Sequence, residues 1–277
     1  MTLRQIAFLL LSLTSGEFYG QCFNPFKASN DIWGSVELDM SDAQKQSIID
    51  EFGQPDQVKS GMLKPESYLK SIHPIYIDSD TLVDFIYHGW SGGESEFVDI
   101  MLNKGNKLES IHSEMGKILN VSRLGLSSGL NIQFLQYGCC DDPNNYIETW
   151  VVSENSDFTS AVVMDRTHYL QGTEIPDCFD TSFKFKVLNT PYTLRATPEI
   201  NNEENAIHNF EKGNIIAEYG VGDIGTALAS RTDETGRIWW FVIMETPLRN
   251  DLFHNYKYYR SKRWVGWISS RYLAKIN

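Results

Sequence analysis

From Tyr76 to Ile268 the chain runs as short stretches rich in β-branched and aromatic residues, each closed by a turn signal, and this punctuation predicts antiparallel β-structure. In the first part the runs are Tyr76-Ile77, Leu82 to Tyr87, Phe97 to Leu102, Leu108 to Arg123, Ile132 to Tyr137, Tyr146 to Val152 and Ala161 to Leu170. Gly92-Gly93, Lys104-Gly105-Asn106 and Asp142-Pro143-Asn144-Asn145 separate some of them. One short helix is expected before these strands. Ser41 and Gln44 form a Ser-x-x-Gln capping box ahead of Ile48, Ile49 and Phe52, and Gly53 supplies the stop. Pro55, Gly61, Pro65 and Pro74 then punctuate the chain.

The charge is unevenly divided. Residues 1–180 carry 11 basic and 26 acidic side chains, whereas 181–277 carry 13 and 10. So acidic a first part repels phosphate backbones, and no nucleic-acid partner is expected.

At the N-terminus one positive charge, Arg4, precedes the short apolar core Ile6 to Leu13 and then small and polar residues, which is the pattern of a secretory signal peptide. Residues 1–20 are assigned to it, with Gly16 and Gly20 both open as cleavage positions. The core is too short to span a bilayer as a helix, and no transmembrane segment is expected after cleavage. Export places Cys22, Cys139, Cys140 and Cys178 in an oxidising compartment, where disulfides are the default. A bridge between the neighbours Cys139 and Cys140 is strained, which favours Cys22 bonded to one of them and Cys178 to the other.

Ligand-like spacing in the acidic part occurs at Asp78, Asp80 and Asp84, a loose resemblance to a shortened calcium loop. Calcium wants several hard oxygens and usually a glycine that folds the loop back, and no glycine lies between Asp80 and Asp84. A solvated turn entering a buried strand is the competing reading. No cofactor other than calcium is suggested. The chain has no H-E-x-x-H, G-x-S-x-G, phosphate-binding or dinucleotide-binding motif. Paired carboxylates in an acidic body keep a hydrolase as the rival class.

After Phe183 the strands are Phe183 to Leu188, Tyr192 to Arg195, Asn214 to Tyr219, Thr226 to Arg231, Trp239 to Met244 and Gly266 to Ile268. Within Trp239 to Met244, alternation separates Trp239, Phe241 and Ile243 from Trp240, Val242 and Met244, and one set must line a core. So many strands in so short a region suit a small, partly closed barrel. Leu194-Arg195-Ala196-Thr197-Pro198, Lys212-Gly213-Asn214-Ile215-Ile216-Ala217, Trp239-Trp240-Phe241-Val242 and Gly266-Trp267-Ile268 with Tyr272-Leu273 together resemble the bacterial Src-homology-3-like domain family. The resemblance covers about a third of the chain. It implies a small β-barrel that binds peptidoglycan or peptides in exported proteins. Ala196-Thr197 departs from the commoner Ser-Gly. An insertion from Glu245 to Val265 is a second departure. It interleaves rings and cations at Tyr256, Tyr258, Tyr259, Arg260, Arg263 and Trp264, which are the candidate ligand residues.

The expected protein is therefore mostly β: an acidic, disulfide-stapled antiparallel β domain with one short helix over 21–180, then a Src-homology-3-like barrel over 181–277. The expected role is non-catalytic binding of peptidoglycan or of an envelope protein or peptide, in a secreted or periplasmic location. A barrel-targeted hydrolase and an envelope structural or inhibitor protein are the alternatives.

Overall fold

The computed structural model describes residues 24–52, 56–61, 63–93, 96–123, 129–137, 144–154, 159–203, 213–246 and 263–276. It is mostly β, with 51% of the described residues in strands and 11% helical. The expected helix is α1 (Asp42–Phe52), and α2 (Asp56–Lys59) and α3 (Pro65–Lys70) are two further short ones. The capping box closes as its spacing predicts: Ser41 N–H donates to Gln44 Oε1 at 2.9 Å, and Gln44 N–H to Ser41 Oγ at 3.4 Å. Pro65, which reads as punctuation, opens α3, where its missing N–H has no helical partner to lose.

Four strands, β1 (Ile72–Ile75), β2 (Asp84–Trp90), β3 (Glu96–Asn103) and β4 (Leu108–Met115), form an antiparallel sheet in that order. The larger sheet includes β5 (Lys117–Arg123), β6 (Leu130–Gln136), β7 (Asn144–Glu154) and β8 (Thr159–Leu170). It continues through β9 (Phe183–Val187), β12 (Ile224–Thr232), β13 (Ile238–Met244), β14 (Arg263–Ser269) and β15 (Leu273–Ile276). The path is β15-β9-β12-β13-β14-β8-β7-β6-β5, with β10 (Tyr192–Arg195) paired to β11 (Ile215–Tyr219) and to β14. A short parallel contact, Arg263 opposite Thr167 and Trp264 opposite His168, joins β14 to β8.

Hydrophobic clusters fill the spaces between these layers. One face of the small sheet (Ile75, Ile86, Val98, Ile100) packs on β5–β7 through Ile118, Ile132, Phe134 and Trp150. Its other face (Ile72, Phe85, Tyr87) is covered by Ile49 of α1 and by Tyr68 and Leu69 of α3. A third cluster places Leu119, Leu135, Ile147 and Tyr169 of β5–β8 against Trp239, Phe241, Val265 and Trp267, with Phe26 among them. The fourth draws Phe185, Val187, Leu194, Ile216, Ala227, Val242, Met244 and Ile268 to one centre. Six strands converge there as in a small barrel, although no closed ring of pairing is found among the described residues.

Three local expectations change. The run Leu108 to Arg123 is two strands in different sheets, because Gly116 sits at φ 145° and a Cβ there would lie 2.4 Å from Leu135 O. The first strand is Ile72–Ile75 rather than Tyr76-Ile77; it is an edge strand, which tolerates Pro74. Both faces of β13 are buried, Trp239 and Phe241 toward β5–β8 and Val242 and Met244 toward the barrel-like centre.

The connection 171–182, where the domain boundary near Asp180 was placed, is held from both sides. Glu174 N–H donates to Ala196 O (2.8 Å), Trp267 Nε1–H to Glu174 O (2.6 Å) and Asn24 Nδ2–H to Pro176 O (2.6 Å). Cys178 in this connection is disulfide-bonded. Cys22, Cys139 and Cys140 lie outside the described residues, as does the expected signal segment.

Candidate binding face and placement of the expected site residues

An aromatic surface of the C-terminal strands is built where β10 meets the 3-10 turn Ser270–Tyr272. Ser269 caps that turn by accepting from Arg271 N–H, and its backbone carbonyl accepts from the Tyr192 hydroxyl at 2.6 Å. Tyr272 N–H donates to the same hydroxyl at 3.4 Å, and Tyr272 O accepts from Leu188 N–H at 2.9 Å. The Tyr192 and Tyr272 rings meet edge to face at 6.0 Å, and the Arg271 guanidinium lies 5.4 Å from the Tyr272 centroid. Tyr272 is 41% exposed and Leu188 49%. The Tyr192 ring is half-buried and tethered through its hydroxyl, while the Tyr272 ring and the Arg271 side chain on the adjoining turn are exposed, so part of the ordering cost of a ligand-facing surface is already met.

Behind this face, Arg195 explains its place in the sequence signature. It is buried and donates from Nη1 to Asn201 O (2.9 Å) and Asn214 Oδ1 (2.8 Å), and from Nη2 to Asn202 Oδ1 (2.9 Å). Burial lowers its pKa. Arg195 organises the loop after β10 and is not a ligand group. Gly266 is explained by close approach, since a Cβ there would stand 2.5 Å from Arg195 O. Among these residues the sequence singles out Tyr272 only as a signature position, and Tyr192 and Arg271 carry no ligand-like pattern in it. Their signals were adjacency to the Leu194-Arg195 and Tyr272-Leu273 signatures.

Tyr256, Tyr258, Tyr259 and Arg260 lie outside the described residues. The other two candidates in that stretch are placed differently from the expectation. Trp264 is 1% exposed in the barrel-like centre, 5.5 Å from the His168 ring. Arg263 forms an ion pair with Asp165, and its burial lowers its pKa. The parallel seam between β14 and β8 therefore takes up both side chains, and neither presents an open ring face or an unpaired cation.

The calcium candidates, Asp78, Asp80 and Asp84, lie at the turn that enters β2. Asp84 is fully buried, with Oδ2 accepting from Ile77 N–H at 2.8 Å and Oδ1 from Asn103 N–H at 2.9 Å. Asp78 takes the Lys104 ammonium at 3.1 Å, and Asp80 Oδ1 accepts from Leu82 N–H at 2.8 Å. These carboxylates are engaged in folding the turn that enters β2. Among the described residues no group of three or more His, Cys, Asp or Glu is arranged to hold a metal ion.

Burial pushes the Asp84 carboxyl up to about 6 against two backbone hydrogen bonds that pull it down. The folded state therefore holds a proton that the unfolded state has lost between about pH 3.8 and pH 6. Stability contributed by this group is full below pH 3.8 and falls as pH rises through 6, by roughly 3 kcal/mol. A carboxyl-carbon NMR titration should find the Asp84 midpoint near pH 6; a midpoint near 4 would contradict this assignment.

Two other carboxylates are raised by burial, Glu37 and Asp99. Glu37 accepts from His73 Nδ1 (2.9 Å), whose ring stacks on Trp33 at 3.7 Å, and desolvation drives the His73 pKa down to about 3. A histidine that stays neutral to that point is poorly matched to proton transfer near neutral pH. Asp99 accepts from Ser110 Oγ and pairs across the strands with Tyr87. Asp84 pairs with Ile75, on the opposite face of the small sheet, so Asp84 and Asp99 cannot flank one substrate.

What the fold and site define is a mostly β chain with an aromatic and cationic surface at the turn Ser270–Tyr272. In comparisons with family models, curated proteins and solved structures, the chain matches none.

Proposed function

We propose that the chain is an exported, non-catalytic binding protein of the cell envelope, with its C-terminal Src-homology-3-like region recognising peptidoglycan or an envelope peptide. The observation that carries this reading is the Tyr192, Arg271 and Tyr272 face: a half-buried Tyr192 ring tethered by its hydroxyl, beside the exposed Tyr272 ring and the Arg271 cation. Ring faces stack on sugars and apolar peptide groups, and Arg pairs with the carboxylates that peptidoglycan stems carry. The ordered signatures that resemble the Src-homology-3-like family add a second, independent support. No specific observation favours the hydrolase or the inhibitor reading.

Incubation of the full chain with purified peptidoglycan tests the class of function. Retention on the polymer without release of soluble sugars or peptides is expected. Release of fragments would overturn the non-catalytic reading, and passage of all protein into the unbound fraction would overturn peptidoglycan as the target.

A further inference from the structure

A second pinned and exposed group lies on the acidic part, where the ends of β2, β3 and β6 meet. Trp90, the last residue of β2, pairs directly with Glu96, the first of β3, so both side chains project from the same face. The indole is 43% exposed, yet its Nε1–H donates to Gly93 O at 2.7 Å, and its backbone carbonyl accepts from the Tyr87 hydroxyl at 2.8 Å. Glu96 is 45% exposed at its side chain and is oriented by His88 Nε2 at 2.9 Å. Tyr137, 46% exposed, approaches from the other sheet. Glu96 O accepts from Gly116 N–H at 2.8 Å, and Gly116 packs against Leu135 O, two residues before Tyr137. The proximity is electrostatic as well, since the Glu96 charge contributes to raising the Tyr137 phenol.

We propose that Trp90 and Tyr137, one from each sheet, together with the Glu96 carboxylate form a binding surface for an uncharged glycan chain. The electron-rich face of an aromatic ring attracts the C–H face of a pyranose, and a fixed carboxylate accepts hydrogen bonds from its hydroxyls. Restricting the indole by the Gly93 bond and the carboxylate by the His88 bond removes part of the ordering cost of binding. Charge selects the class of glycan. With 26 acidic against 11 basic side chains over residues 1–180, this part repels uronic or sulfated polymers. The inference does not rest on the barrel-like region, and the two surfaces are separable by mutation.

Calorimetric titration of the full chain with cellohexaose and with an N-acetylglucosamine hexamer, and with polygalacturonate as the anionic comparison, tests it. Binding of at least one neutral oligomer and none of polygalacturonate is expected. Trp90→Ala and Tyr137→Ala should each weaken that binding by about tenfold or more, as loss of an aromatic anchor does, while Val162→Ala, at an exposed position on neither face, leaves it unchanged. Both positions are exposed, so the melting temperature of each variant should stay near that of the parent. The proposal is overturned if neither neutral oligomer binds, if polygalacturonate binds more tightly, or if Trp90→Ala and Tyr137→Ala both bind as the parent does.

Discussion

Phe241→Ala is expected to lower the stability of the whole chain by about 3–5 kcal/mol, or roughly ten degrees in melting temperature. Phe241 is fully buried, with its ring 5.5 Å from Trp267, 5.6 Å from Phe179 and 6.2 Å from Phe26. Those three partners come from β14, from the connection and from the N-terminal segment, and Leu119, Leu135 and Ile147 of β5–β7 complete the same cluster. A cavity there removes contacts from both halves of the chain at once, and close-packed surroundings relax into it only in part. Thermal unfolding followed by tryptophan fluorescence should therefore keep one transition that moves down as a unit. A midpoint within a degree of the parent, or a shift in only one of two transitions, would contradict the shared core.

Gly266→Val should cost about 3 kcal/mol through overpacking rather than cavity formation. The first added carbon would stand 2.5 Å from Arg195 O, 2.8 Å from Ile216 Cδ1 and 3.2 Å from Leu194 Cγ. Two of those contacts are to β10, which carries Tyr192 at its start. Pushing β10 away from β14 therefore disturbs the pair Arg195 opposite Trp267 and, through it, the Tyr192 hydrogen bond to Ser269. Urea unfolding should find the midpoint lowered in Gly266→Val and lowered less in Gly266→Ala. An alanine variant equal to the parent would show that the two strands can part without loss.

Strands were legible wherever a run of β-branched and aromatic residues ended at a turn residue. Tyr192–Arg195 agrees residue for residue, and Phe97 to Leu102 and Tyr146 to Val152 need only their ends extended. The misreadings have local physical causes. Gly116 was hidden within a stretch that reads as one strand, because the space for a Cβ there is taken by Phe134 and Leu135 on a strand that only the tertiary fold brings near. Pro74 suggested a break because the sequence does not say that β1 lies at a sheet edge.

The site was less legible than the fold, for a similar reason. Trp264 looked like a ligand ring because basic and aromatic residues surround it in sequence, but the β14–β8 seam that buries it joins positions about a hundred residues apart. Spacing likewise cannot reveal that Asp84 accepts from two backbone amides and that Asp78 pairs with Lys104. Conversely, Tyr192 and Tyr272 become a face only through the hydrogen bonds to Ser269 and between each other. The acidity of the first part bears on the proposed glycan surface, where it is expected to disfavour anionic polymers.

The most direct test of the binding face is the fraction of full-length chain retained on purified peptidoglycan, measured for the parent, for Tyr272→Ala and for Tyr258→Ala/Tyr259→Ala/Arg260→Ala. Tyr272 is 41% exposed, so its truncation should leave the melting temperature nearly unchanged while weakening retention by about tenfold or more. Retention by Tyr272→Ala equal to the parent, with the triple variant losing it instead, would contradict the assignment of recognition to the Tyr192, Arg271 and Tyr272 face.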